Sequence, residues 1–146
     1  MKDDFKIYLD TLKDTEDLGK KIAKFVKPKT FISLRGKLGV GKTTLVRFII
    51  NSLFNKTNIK VQSPTYSLVN VYEFNKFKIW HYDLYRLRTK KEVFELDFDL
   101  ALSDCTIVEW PEILGDLLPK NRIDIFIDED CSLNRSATVK ITRSRN

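Results

Sequence analysis

Residues 35–44 read RGKLGVGKTT, with Gly36, four residues, and then Gly41-Lys42-Thr43. That is the G-x-x-x-x-G-K-[ST] spacing of a loop that cradles phosphate. Glycines let the backbone turn tightly and bring its N–H groups against phosphate oxygens with no Cβ in the way. An ammonium at Lys42 would reach the β- and γ-phosphates, and a hydroxyl at Thr43 would ligate Mg²⁺. Thr44 would close the α-phosphate side. A helix opening directly behind the loop adds its positive end to the same anion.

A phosphate loop needs acids to complete a metal site, and these stand at the C-terminal ends of neighbouring strands. Asp83 follows the strand-like FKIWHY, and Glu109 follows TIV. Asp97 and Asp99 fall in a less apolar stretch and read as surface groups. Between the loop and Asp83 lies SPTYSL, where Thr65 could touch a γ-phosphate or the metal in a segment stiffened by Pro64. The chain's one histidine, His81, shares a strand face with Asp83. It reads first as a structural strand residue and second as a general base. Trp80, Tyr82 and Tyr85 read as core packing before base stacking. Trp110 is followed by Pro111, which breaks a strand and exposes the ring.

The elements needed to position these groups can be traced along the chain. Residues 15–26 carry apolar side chains at helical spacing, with Thr15 as N-cap. Residues 30–34 form a short apolar run, read as a buried strand, and the loop leads into a helix over 42–53. Residues 69–74 and 76–82 alternate like paired strands. Residues 89–96 suggest a helix with a Thr89/Glu92 capping box. Residues 106–108 give a second buried strand, and 123–127 and 137–141 alternate as closing strands. Helices mixed with buried strands predict an α/β fold, a three-layer P-loop NTPase-like sandwich with a mainly parallel central sheet.

The 146 residues are read as one domain, 1–146. No apolar run approaches the roughly 18 residues of a membrane span. The start, MKDDFKIYLD, has acids where a signal peptide needs a basic start and an apolar stretch, so the expected location is cytoplasmic. Cys105 and Cys131 are expected as buried reduced thiols, and one histidine with two cysteines excludes most zinc sites. The net charge of +6 favours anionic partners. No acid follows Asp130, while Arg135, Lys140, Arg143 and Arg145 do, making a basic C-terminal strip.

GKLGVGKTT, SPTYSLV, HYDLYRL and VEWPE, in that order, together resemble the TsaE family, the small ATPase of bacterial tRNA threonylcarbamoyladenosine biosynthesis. The resemblance covers nearly the whole chain, TEDLGKKIA included. It implies ATP and Mg²⁺ as cofactors and slow hydrolysis controlled by partners. Those partners are the TsaD and TsaB proteins, which perform the threonylcarbamoyl transfer, with tRNA contacted weakly or indirectly. The loop residues Gly36, Lys37, Leu38, Gly39, Val40, Gly41, Lys42, Thr43 and Thr44 carry over as the nucleotide cradle. Thr43 and Glu109 carry over as metal ligands. Asp83 carries over as the acid that orients water or the metal shell. Thr15 matches a position near the adenine, Trp110 an aromatic beside the metal acid, and Arg135 a basic residue near the nucleotide. Two departures stand out. Lys37 replaces an acid usual after the first glycine, making the loop more basic, and Asp97 lies near the place of a missing glycine.

Other classes leave other marks. A small-molecule or nucleoside kinase needs an acceptor pocket and an arginine-rich lid, for which YRLRTKK at 85–91 is the one short candidate. A GTP switch needs N-K-x-D, and NKFK at 75–78 lacks the aspartate. An RNA-binding module would use the basic strip and survive loss of Lys42.

Overall fold

Phe31-Ile32-Ser33-Leu34 and all of Cys105–Glu109 are buried. Both stretches read as continuous apolar runs because strands covered on two faces have no solvent side to alternate with. They form β2 (Phe31–Arg35) and β5 (Cys105–Glu109) of a seven-stranded sheet in a computed structural model that describes residues 2–144. The other strands are β1 (Lys2–Tyr8), β3 (Val69–Phe74), β4 (Phe77–Asp83), β6 (Arg122–Glu129) and β7 (Arg135–Thr142). Their order is β1-β7-β6-β2-β5-β4-β3. The central β6, β2, β5 and β4 run parallel. Antiparallel pairs close both edges: β3 on β4, and β7 on β6 with β1 on β7.

Strand alternation splits the core in two. Ile32, Leu34, Ile79 and Ile107 face α1 (Leu12–Ala23) and α2 (Lys42–Leu53), meeting Leu18, Ile22, Leu45 and Ile49. Phe31, Trp80, Tyr82 and Val108 face the other way, against Val93 of α3 (Lys90–Phe94), Phe98 of α4 (Phe98–Ala101) and Leu114 of a 3-10 segment (Pro111–Leu117). The result is the expected three-layer α/β sandwich with a parallel centre. Trp80 and Tyr82 are core residues, as read, and Tyr85 is exposed.

Several boundaries differ from expectation, each for a local reason. Thr15 is not the cap of α1 but a buried residue inside it. Thr11 caps the helix, accepting from Asp14 N at 3.2 Å while Asp14 accepts from Thr11 N at 2.9 Å. This reciprocal pair satisfies two end donors at once. α1 also stops at Ala23, with Phe25 and Val26 in closing turns. Strand β1 was not anticipated, because its polar KDD start hides the alternation of Phe5 and Ile7. Asp97 takes φ +58°, the left-handed geometry that a glycine would occupy most easily, and so separates α3 from α4. Cys105 is buried, its thiol pushed up to about 12 by desolvation, but Cys131 is exposed, against expectation. Arg145 of the basic strip lies outside the described residues.

Candidate nucleotide site

The parallel strands end together. β2 runs out at Arg35 into the glycine loop, and β4 and β5 end at Asp83 and Glu109, which are register partners. Strand spacing alone therefore sets the two carboxylates side by side, about 4.8 Å apart in backbone, facing the loop. α2 starts at Lys42 with Gly41 as its cap residue.

Gly36 shows why this position excludes a side chain. Its φ is +148°, and a Cβ there would meet Ile127 O at 2.6 Å and Val40 Cγ1 at 2.8 Å. The loop is braced from outside as well. Arg135, opening β7, donates from Nη1 to Val40 O at 3.2 Å. Lys37 pairs with Glu129 at 2.8 Å, so the extra charge of this departure is met by an acid. Leu38 and Gly39 are exposed.

Lys42 is 5% exposed. Its ammonium donates to the carbonyl of Gly36 and lies 3.6 Å from the centroid of the Trp110 ring. Burial lowers its pKa from the ordinary value, while Glu109, Glu112 and Asp83 pull it upward. Trp110 is thus half-buried beneath Lys42 and beside Tyr85, with ring centroids 4.6 Å apart, and not freely exposed as Pro111 suggested. Its backbone sits at φ +57° and is held there by a bond from its N–H to Leu34 O at 3.2 Å. A bulky residue in that region stores strain where the chain leaves the site.

Glu109 joins the two sides. The Thr43 hydroxyl lies 3.0 and 2.9 Å from its carboxylate oxygens. His81, wholly buried, donates from Nε2 to Oε2 at 2.6 Å, and its Nδ1 has no partner among the described residues. Histidine is therefore behind Glu109, consistent with the structural reading. Asp83 is held by two donors, Ser63 Oγ at 2.9 Å and Tyr85 N at 3.0 Å. Thr65 joins this set through Ser63, hydroxyl to hydroxyl at 3.0 Å. Thr44 is the third residue of α2, partly exposed. Thr15 lies on the buried face of α1 with Leu18, Gly19 and Ile22. Gly19 allows α1 to close on α2, since a Cβ there would stand 2.6 Å from Phe48 Cβ.

Three contributors were not assigned from sequence. Ser63 orients Asp83, Glu112 acts on the charge of Lys42 and pairs with Arg35 at 3.9 Å, and Tyr85 brackets Trp110. Glu112 and Ser63 lie inside the EWPE and SPTY motifs, so the motifs marked the segments without marking the roles. The lid candidate at 85–91 is a capped turn: Arg88 N and Thr89 N donate to Glu92, and Lys90 pairs with Asp116.

A family model described as threonylcarbamoyl adenosine biosynthesis protein TsaE matches residues 9–137. The chain belongs to the TsaE family. Curated relatives carry the name tRNA threonylcarbamoyladenosine biosynthesis protein TsaE. That of Rickettsia prowazekii is 38% identical over 118 residues, covering 80% of this chain and 81% of the relative. That of Aquifex aeolicus is 39% identical, covering 73% and 76%, and that of Bacillus subtilis is 32% identical, covering 78% and 71%. Among solved structures, Bacillus subtilis YdiB superposes with a TM-score of 0.75 at 25% identity, covering 98% of this chain and 88% of that one. TsaE-family membership places the chain in tRNA threonylcarbamoyladenosine biosynthesis. Among the described residues no helix is long and apolar enough to cross a membrane.

Proposed function

We propose that the chain binds ATP with Mg²⁺ in the glycine loop and hydrolyses it slowly, under control of the TsaD–TsaB transferase in the cytoplasm. The observation that carries this reading is the Lys42–Thr43–Glu109 cluster, one ammonium and two kinds of oxygen donor gathered at the start of α2.

Thr43 and Glu109 would hold Mg²⁺, with Asp83 in its outer shell or on the attacking water. These are hard oxygen ligands, which suit Mg²⁺, and Mg²⁺ takes one or two protein oxygens plus phosphates, not a cage of acids. Bound Mg²⁺ would neutralise charge on the β- and γ-phosphates. Lys42 would exchange the Gly36 carbonyl for phosphate oxygens. Asp83, with both oxygens already oriented, would position water for in-line attack on the γ-phosphorus, whose bond to the bridging oxygen breaks to release ADP and phosphate. Thr65 would stand at the γ-phosphate side, Thr15 on the adenine side, and Arg135 would steady the loop. The released energy would reset the transferase between turnovers; this chain would not itself transfer the threonylcarbamoyl group.

The test is ATP hydrolysis by the purified chain, alone and with TsaD–TsaB. Partners should raise turnover, from a basal rate far below the 1–100 s⁻¹ typical of kinases, and Lys42→Ala should remove it. Unchanged turnover in Lys42→Ala would defeat the assignment of the loop.

A further inference from the structure

The nucleotide site occupies the end of the sheet where the parallel strands finish. At the opposite end, where β2 and β6 begin and β7 finishes, lies a cleft of about 740 Å³. Five cations line it, Lys24, Lys27, Lys29, Arg122 and Arg143, and no acidic side chain does. Several cations elsewhere are paired with acids, Lys13 and Lys20 within α1, Lys37 with Glu129, Arg35 with Glu112 and Lys90 with Asp116. Arg122 is likewise held by Asp124. Lys24, Lys27 and Lys29 are exposed and form no salt bridge among the described residues.

The loop that carries these lysines is fixed. Lys27 N donates to Thr30 Oγ1 at 3.0 Å, Thr30 N to Lys27 O at 3.1 Å, and Lys29 N to Asp104 O at 2.9 Å. Lys29 is held at φ +74° as a result. Three ammonium groups on a pinned turn, over a cleft too large for a single phosphate, fit a chain of phosphates. From this arrangement we infer that the cleft is a docking site for the phosphodiester backbone of tRNA. The choice of polyanion rests on the family's place in tRNA modification, and the charge complementarity rests on the three lysines alone. The contacts would be sequence-independent, because ammonium groups read phosphate and not base edges.

The experiment is fluorescence anisotropy of the full chain with a labelled, unmodified tRNA transcript over a salt series. The variants are the triple Lys24→Gln/Lys27→Gln/Lys29→Gln, its all-arginine counterpart, and Lys42→Ala. The triple glutamine variant should bind at least 10-fold more weakly near 0.1 M salt, and its slope of log K against log salt should be shallower by about 3, one unit per phosphate contact. The arginine variant should retain both, and so should Lys42→Ala, since this cleft is remote from the loop. ATP binding by the triple variant should be unchanged, which separates this inference from the nucleotide reading. Equal tRNA binding by the triple glutamine variant overturns the inference, as does the absence of tRNA binding by the parent chain. Loss of TsaD–TsaB capture without RNA, with tRNA affinity intact, would overturn it in favour of a protein-docking face.

Discussion

Glu109 serves three groups at once. It receives the Thr43 hydroxyl and the His81 ring, and it acts on the charge of Lys42. Seen only as a strand-end acid, Glu109 should tolerate replacement by alanine with little cost to folding. Its burial at 2% exposure changes that expectation. Glu109→Ala leaves His81 Nε2 buried without an acceptor, in a ring whose Nδ1 already has none among the described residues. A destabilisation of about 1–3 kcal/mol is expected in urea unfolding without nucleotide. Glu109→Gln keeps the shape and an acceptor oxygen. It should unfold nearly like the parent while losing Mg²⁺-dependent hydrolysis, and parallel losses in both variants would mark Glu109 as purely structural.

Lys42 gives a second residue-scale prediction, through pH. Burial lowers its native pKa below the ordinary 10.5, so between those two values the unfolded chain binds more protons than the native one. Stability contributed by this group therefore rises with pH across that window. Comparing urea unfolding of the parent and Lys42→Met isolates the effect: the parent should gain stability relative to the variant as pH climbs toward 10.5. A constant difference across the window would contradict the burial argument.

At the scale of elements, the glycine loop discriminates between its own glycines. Gly36 faces Ile127 O and Val40 Cγ1, whereas an added Cβ at Gly39 meets nothing within 4 Å. Gly39→Ala therefore pays only for its φ of +76°, about 1–2 kcal/mol. Gly36→Ala must also push β6 or the loop away, and should lose ATP binding in calorimetry together with a larger fall in Tm. Equal behaviour of the two variants would show that the loop is soft enough to relocate. At the start of α1, Thr11→Ala should cost about 1 kcal/mol, because it frees the cap while Thr15 stays buried. If Thr15→Ala alone produced the loss, the cap would belong at Thr15 after all.

For the whole molecule, the sheet is asymmetric at its edges. β1 lies before the residues matched by the family model, yet all seven of its residues pair with β7. Removing residues 1–8 would bare β7, and an unpaired edge strand recruits another. The truncated chain should show a lower Tm and concentration-dependent association by size-exclusion chromatography with light scattering. A monomer of unchanged Tm would mean that β6 alone secures that edge.

Much of this was legible in the sequence because it is local. The loop spacing, the helix over 42–53, the Thr89/Glu92 box and the apolar runs of β2 and β5 depend on neighbours within a few residues. Asp83 and Glu109 could be picked out because an acid ending a buried strand has few reasons to be there. Tertiary structure decided what pairs with what. The β4–β5 register set Asp83 beside Glu109, folding brought His81 behind that acid, and β7 brought Arg135 to the loop from 95 residues away. β1 became a strand only because β7 offered it an edge, and the lysines of the α1–β2 turn became a cleft only when β6 and β7 closed around them. Hydrogen-bond register and charge proximity are properties of distance in space, and a one-dimensional pattern encodes distance only where the chain itself is short.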